Sequence, residues 1–115
     1  MIKFLIVGYG VQGKKRAKLL RRKDYLVVDS SQEKVDFKKI QDAPKNFYDA
    51  VMICVPDNEK IKIINFCIKN NKHFLVEKPF PLLSIKKMNN LQNSLKKKKL
   101  VCYVAYNHRF EPHFI

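Results

Sequence analysis

Apolar residues gather in five short runs, at 2–7, 25–28, 50–55, 73–76 and 100–105, with longer polar stretches between them. Runs of this length, rich in Val, Ile, Leu and Phe, are expected of strands covered on both faces. The intervening stretches carry a different period. Gly13, Ala17 and Leu20 fall at i, i+4 and i+7, which predicts a helix with a narrow small or apolar face. Ile61, Ile64 and Ile68 predict a second helix, ending near Asn70-Asn71. Ser84 is placed to cap a third, in which Ile85, Met88, Leu91 and Leu95 share a face. Residues 30–48 are polar and poorly periodic, with a turn of helix expected at 37–40 and closed by Pro44. Strands alternating with helical crossovers predict an α/β doubly wound parallel sheet, a Rossmann arrangement of at least five strands. The expected order is 3-2-1-4-5, which sets the fourth strand beside the first.

The junction between the first strand and the first helix reads Gly8-Tyr9-Gly10-Val11-Gln12-Gly13. Strand, G-x-G-x-x-G and helix in that order form a seat for a dinucleotide pyrophosphate. Gly8 allows the tight turn, Gly10 lets backbone approach the phosphates, and Gly13 lets the helix lie close to the strand. Free amides and the helix dipole would add to this. Lys14 and Lys15 oppose that dipole near its positive end, as solvated lysines or as neighbours of a bound anion. The second strand ends at Asp29, 21 positions after Gly8. An acidic residue near that offset accepts from the adenosine ribose hydroxyls and repels a 2′-phosphate, so NAD is expected over NADP. Ser30, Ser31 and Lys34 would soften that preference, and the plainer reading is that Asp29 opens a turn.

Composition narrows the classes. The chain of 115 residues has room for one domain with a real core. At 46% hydrophobic it is not expected to be disordered. No apolar run approaches a membrane span and no signal-peptide layout is visible. Cys54, Cys67 and Cys102 are odd in number, widely spaced and set among apolar residues. They read as reduced thiols without metal-ligand spacing, which fits the cytoplasm and no metal. The formal charge of +14 comes from lysines spread along the whole chain. No basic face interleaved with aromatics is legible, so nonspecific polyanion attraction is expected but no specific nucleic-acid partner and no membrane.

Three segments with unusual chemistry end on the expected ligand rim: Pro56-Asp57, Glu77-Lys78-Pro79 and Asn107-His108-Arg109. Together with the glycine loop, in this order, they resemble the glucose–fructose oxidoreductase / inositol dehydrogenase / MocA (Gfo/Idh/MocA) family of nicotinamide-dependent enzymes. The likeness spans essentially the whole chain. It implies an NAD(P)-dependent oxidoreductase moving hydride to or from a secondary alcohol of a sugar, polyol or nucleotide sugar. By that resemblance Lys78 is the catalytic lysine, bonded to the reacting hydroxyl. Gly8, Gly10, Val11, Gln12, Gly13, Asp29, Val55, Pro56, Glu77 and Pro79 bind cofactor, Glu77 either holding the lysine or meeting the nicotinamide end. Pro79 restricts how Lys78 points. Asn107, His108 and Arg109 face substrate or cofactor.

Two positions depart from the family pattern. Where the family commonly has Asn after the proline and His four positions beyond it, this chain has Asp57 and Lys60. The family also continues into a second, β-rich domain that supplies the substrate pocket, the dimer surface and a partner acid/base. The expectation is therefore that 1–115 is a dinucleotide-binding domain truncated at its C-terminal end, without the substrate domain. Alone it would bind NAD but be catalytically incomplete, and its fifth strand would present an unpaired apolar edge. The competing class is a noncatalytic nucleotide-binding or interaction module, or a gene remnant.

Overall fold

The computed structural model describes residues 2–77, 80–81, 83–106 and 109–112. Six strands form one sheet: β1 (Phe4–Val7), β2 (Tyr25–Val28), β3 (Ala50–Ile53), β4 (His73–Glu77), β5 (Cys102–Tyr106) and β6 (Arg109–Pro112). Their order is β2-β1-β3-β4-β5-β6. The first five run parallel, and β6 returns antiparallel to β5. Helices α1 (Val11–Ala17), α2 (Asp57–Lys69) and α3 (Ile85–Lys98) make the crossovers after β1, β3 and β4.

Alternation along the strands explains why both faces are apolar. Leu5 and Val7 of β1 join Val51, Ile53, Phe74 and Val76 in the larger core, closed by Ile63, Ile64 and Cys67 of α2 and Leu91 and Leu95 of α3. Ile6 points the other way and packs with Val27, Met52 and Ala17 of α1. The period of two thus sorts each strand between two helical layers, and the sheet is doubly wound. The α1 layer is narrow. Over β4 and β5 on that face Leu75 is half-buried and Tyr103 is 37% exposed.

Several sequence expectations are corrected. The order is not 3-2-1-4-5, because β3 takes the place beside β1 that was expected of β4. The cause lies in 30–48: this crossover builds no strand and adds one parallel bridge to the ladder, Val28 to Phe37, while Ile40, Ala43 and Tyr48 pack into the core. The helical turn in it falls at Ile40–Asp42, three residues later than expected. Nor is the edge of β5 bare, since Tyr103 to Tyr106 pair with Pro112 to Arg109.

The first helix stops at Ala17, short of Leu20, as Leu19 and Leu20 donate to carbonyls only three residues back, Arg16 and Ala17. Lys14 and Lys15 consequently sit in its last turn, where cations suit the dipole, and the expected conflict does not arise. Ser84 caps α3 as expected, its Oγ accepting from the Lys87 amide at 3.2 Å. Ile85, however, is 83% exposed. At about 100° per residue it lies well off the centre of the Met88, Leu91 and Leu95 stripe.

Candidate functional site

The loop from β1 into α1 is fixed by two glycines that have no alternative. Gly8 has φ +94°, and a Cβ there would lie 2.5 Å from the Cys54 carbonyl oxygen at the end of β3. A Cβ on Gly13 would lie 2.0 Å from the Gly8 carbonyl oxygen. Both demands come from packing within the protein. Gly10 is different: it is exposed, and a Cβ on it would meet nothing within 4 Å. A glycine that the surrounding protein does not require leaves the backbone bare for an outside group. The carbonyl of Gly10 accepts the first helical bond, from Lys14 at 3.0 Å, and among the described residues no side chain caps the start of α1. Val11 and Gln12 are exposed beside it, Val11 to 71%.

Asp29 lies one residue beyond β2 and is tied to this loop. Its Oδ2 accepts from the Tyr9 amide at 2.7 Å, and its Oδ1 accepts from the Ser31 amide and hydroxyl, each at 2.8 Å. Burial pushes its pKa up, but the bonds from Tyr9, Ser31 and Gln32 outweigh that and hold it below the ordinary 3.8. The carboxylate stays ionised at neutral pH, an acceptor-only group, and a diol would share it with or displace the Ser31 hydroxyl. Lys34 lines a polar hollow of about 300 Å³ with Tyr9, Arg22, Tyr25 and Asp36. Arg22 there is held by the Asp36 carboxylate at 2.8 Å.

On the other side of β1 the carboxyl ends of β3 and β4 carry a cluster that sequence reasoning did not find. Arg16 of α1 is buried and meets Glu77 through two bonds, Nε to Oε2 at 2.8 Å and Nη2 to Oε1 at 3.1 Å. Lys60 of α2, only 2% exposed, donates to the Glu77 carbonyl at 2.7 Å and pairs with Asp57 at 2.8 Å. The signals were present. Arg16 lies three residues after Gly13, on the small-residue face, and Lys60 precedes Ile63, Ile64 and Cys67 at i+3, i+4 and i+7. Burial pushes the thiol of Cys54, which sits amid these charges, up to about 12. Burial likewise raises Cys67 and Cys102 to about 12, and the three cysteines are free thiols.

The remaining expected site residues fall out as follows. Val55 is half-buried and Pro56 exposed between β3 and α2. Glu77 ends β4, with its carboxylate turned to Arg16. Arg109 opens β6 opposite Tyr106, so its backbone stands at the carboxyl end of β5. Lys78, Pro79, Asn107 and His108 lie outside the described residues. A hollow of about 1260 Å³ lies between α2 and α3, with Asp57, Asn58, Ile61, Phe80, Leu83 and Leu91 in its lining.

A glycine turn bound to an acidic second strand, with charged groups on the same rim, is the layout of a dinucleotide fold. Residues 2–106 match the family model described as an oxidoreductase family with an NAD-binding Rossmann fold, GFO_IDH_MocA. The chain belongs to the Gfo/Idh/MocA family. Solved structures agree in fold. A UDP-N-acetylglucosamine 3-dehydrogenase from Acidithiobacillus ferrooxidans superposes with a TM-score of 0.73 at 21% identity, over 90% of this chain and 36% of its own. A scyllo-inositol dehydrogenase from Lactobacillus casei gives 0.69 at 21% identity, over 91% of this chain and 36% of its own. The chain therefore spans little more than a third of the length of these Gfo/Idh/MocA-like dehydrogenases. No curated protein matches by sequence. Among the described residues no helix is long and apolar enough to cross a membrane.

Proposed function

We propose that this Gfo/Idh/MocA domain binds NAD in preference to NADP, along the carboxyl rim of β2, β1, β3 and β4. The observation that carries the reading is the 2.7 Å bond between the Tyr9 amide and Asp29, which joins the glycine turn to an ionised carboxylate. Gly10 and the first-turn amides of Val11, Gln12 and Gly13 would take the pyrophosphate, and Asp29 the adenosine ribose. Val55, Pro56, Glu77 and Pro79 would border the other nucleoside. When bound, the nicotinamide ring supplies the hydride acceptor or donor. Lys78 is assigned to the reacting hydroxyl, as a proton acceptor or as a cation beside developing alkoxide charge. Asn107, His108 and Arg109 are assigned to the substrate or to the cofactor beside it.

The substrate class we propose is a secondary alcohol of a sugar, polyol or nucleotide sugar. Two dehydrogenases with the same fold are named for a nucleotide sugar and an inositol, which supports that class. The free thiols suit a reducing compartment, and we place the protein in the cytoplasm. Fluorescence titration with NADH and NADPH in moderate salt tests the cofactor reading, the salt screening the net charge of +14. NADH should bind more tightly, and Asp29→Ala should weaken it and narrow the gap. Equal binding of both, or no response to Asp29→Ala, overturns the assignment.

A further inference from the structure

Lys60 is the most deeply buried charge of the described residues, at 2% exposure, and nothing in the nucleotide seat accounts for it. Burying an ammonium is costly unless it is paired and hydrogen-bonded. Its partners among the described residues include the Asp57 carboxylate at 2.8 Å, at the start of its own helix, and the main-chain carbonyl of Glu77 at 2.7 Å. Glu77 is at the same time gripped by Arg16 through its side chain. Arg16 comes from the helix that follows the glycine loop, on one face of the sheet. Lys60 comes from α2, on the other. The last residue of β4 is thus clamped from both faces, one partner holding its carboxylate and the other its backbone.

We propose that Lys60 is a positioning residue for the nicotinamide half of the site, an inference that rests on the dinucleotide reading above. The sheet order supplies the reason. With Asp29 at the end of β2 and the glycine turn after β1, a dinucleotide that starts at Asp29 runs on toward β3 and β4. Lys60 ties the start of α2, which follows β3 through Pro56, to the last residue of β4, through Asp57 and Glu77. The adenosine half lies on the far side of β1 and is out of its reach.

Titrating the chain with NADH and, separately, with ADP tests this, using Lys60→Met, Lys60→Arg and Asp57→Asn. Unaltered chain that binds neither ligand defeats the dinucleotide reading itself. If it binds both, Lys60→Met should weaken NADH about tenfold and ADP less than twofold, with partial recovery in Lys60→Arg. Asp57 is largely exposed, so Asp57→Asn should fold and show the same bias at two- to threefold. It decides the matter if Lys60→Met does not fold. Equal losses for NADH and ADP, or none for NADH, overturn the positioning role.

Discussion

Asp29 combines two functions in one carboxylate. It caps the turn that follows β2, through Ser31, and it fixes the glycine loop, through Tyr9. Its pKa is depressed, so the folded state binds the proton less readily than the unfolded chain does. The stability it contributes is full above the ordinary value of 3.8 and is lost as the pH falls below that, through the folded-state value. Denaturant midpoints of the parent and Asp29→Asn should therefore differ at pH 7, and the gap should narrow progressively as the pH falls below 3.8. A gap that persists unchanged at pH 3 would show that Asp29 acts through packing instead of charge.

At the scale of elements, the glycine turn separates structural from ligand-directed demands. Gly13→Ala would set a Cβ against the Gly8 carbonyl, a backbone atom that cannot swing aside, and α1 would have to move. A loss of about 2–3 kcal/mol is expected, read from urea midpoints. Gly10→Ala meets open space and a negative φ, so stability should hardly change while NADH affinity falls. If Gly10→Ala binds NADH as the parent does, no backbone approach is needed there.

The same turn shows what was legible in the sequence. Strand runs, the glycine spacing and the Ser84 cap rest on local rules, and they stand in the structure at β1 to β5, at Gly8 and Gly13, and at the start of α3. What was not legible depends on relations across the chain. The place of β3 beside β1 follows from the weakness of 30–48 as a strand, and a count of apolar runs does not register a strand reduced to a single bridge. Arg16 was not singled out and Lys60 was noted only as a departure from the family pattern, though both fall on buried helical faces. Ile85 erred in the opposite direction, as an apolar residue assigned to a stripe it lies beside.

For the molecule as a whole, Glu77 is where the two helical layers meet through the sheet. Arg16 and Glu77 are 61 residues apart and only 8% and 14% exposed, and their contact passes from α1 over β3 to β4. Removing one member leaves the other charge with poor access to water, and that penalty exceeds the net worth of the pair. Arg16→Met and Glu77→Gln should each cost about 2–3 kcal/mol, toward the lower side of the buried range because Glu77 keeps some solvent. The double variant should cost clearly less than the two losses combined, leaving a coupling of about 1–2 kcal/mol in a double-mutant cycle. Lys60→Met should couple to Glu77→Gln much more weakly, since Lys60 bonds the Glu77 carbonyl, which that substitution keeps. Additive losses for Arg16 and Glu77 would mean that the ion pair is a bystander at the rim and that the two faces are held without it.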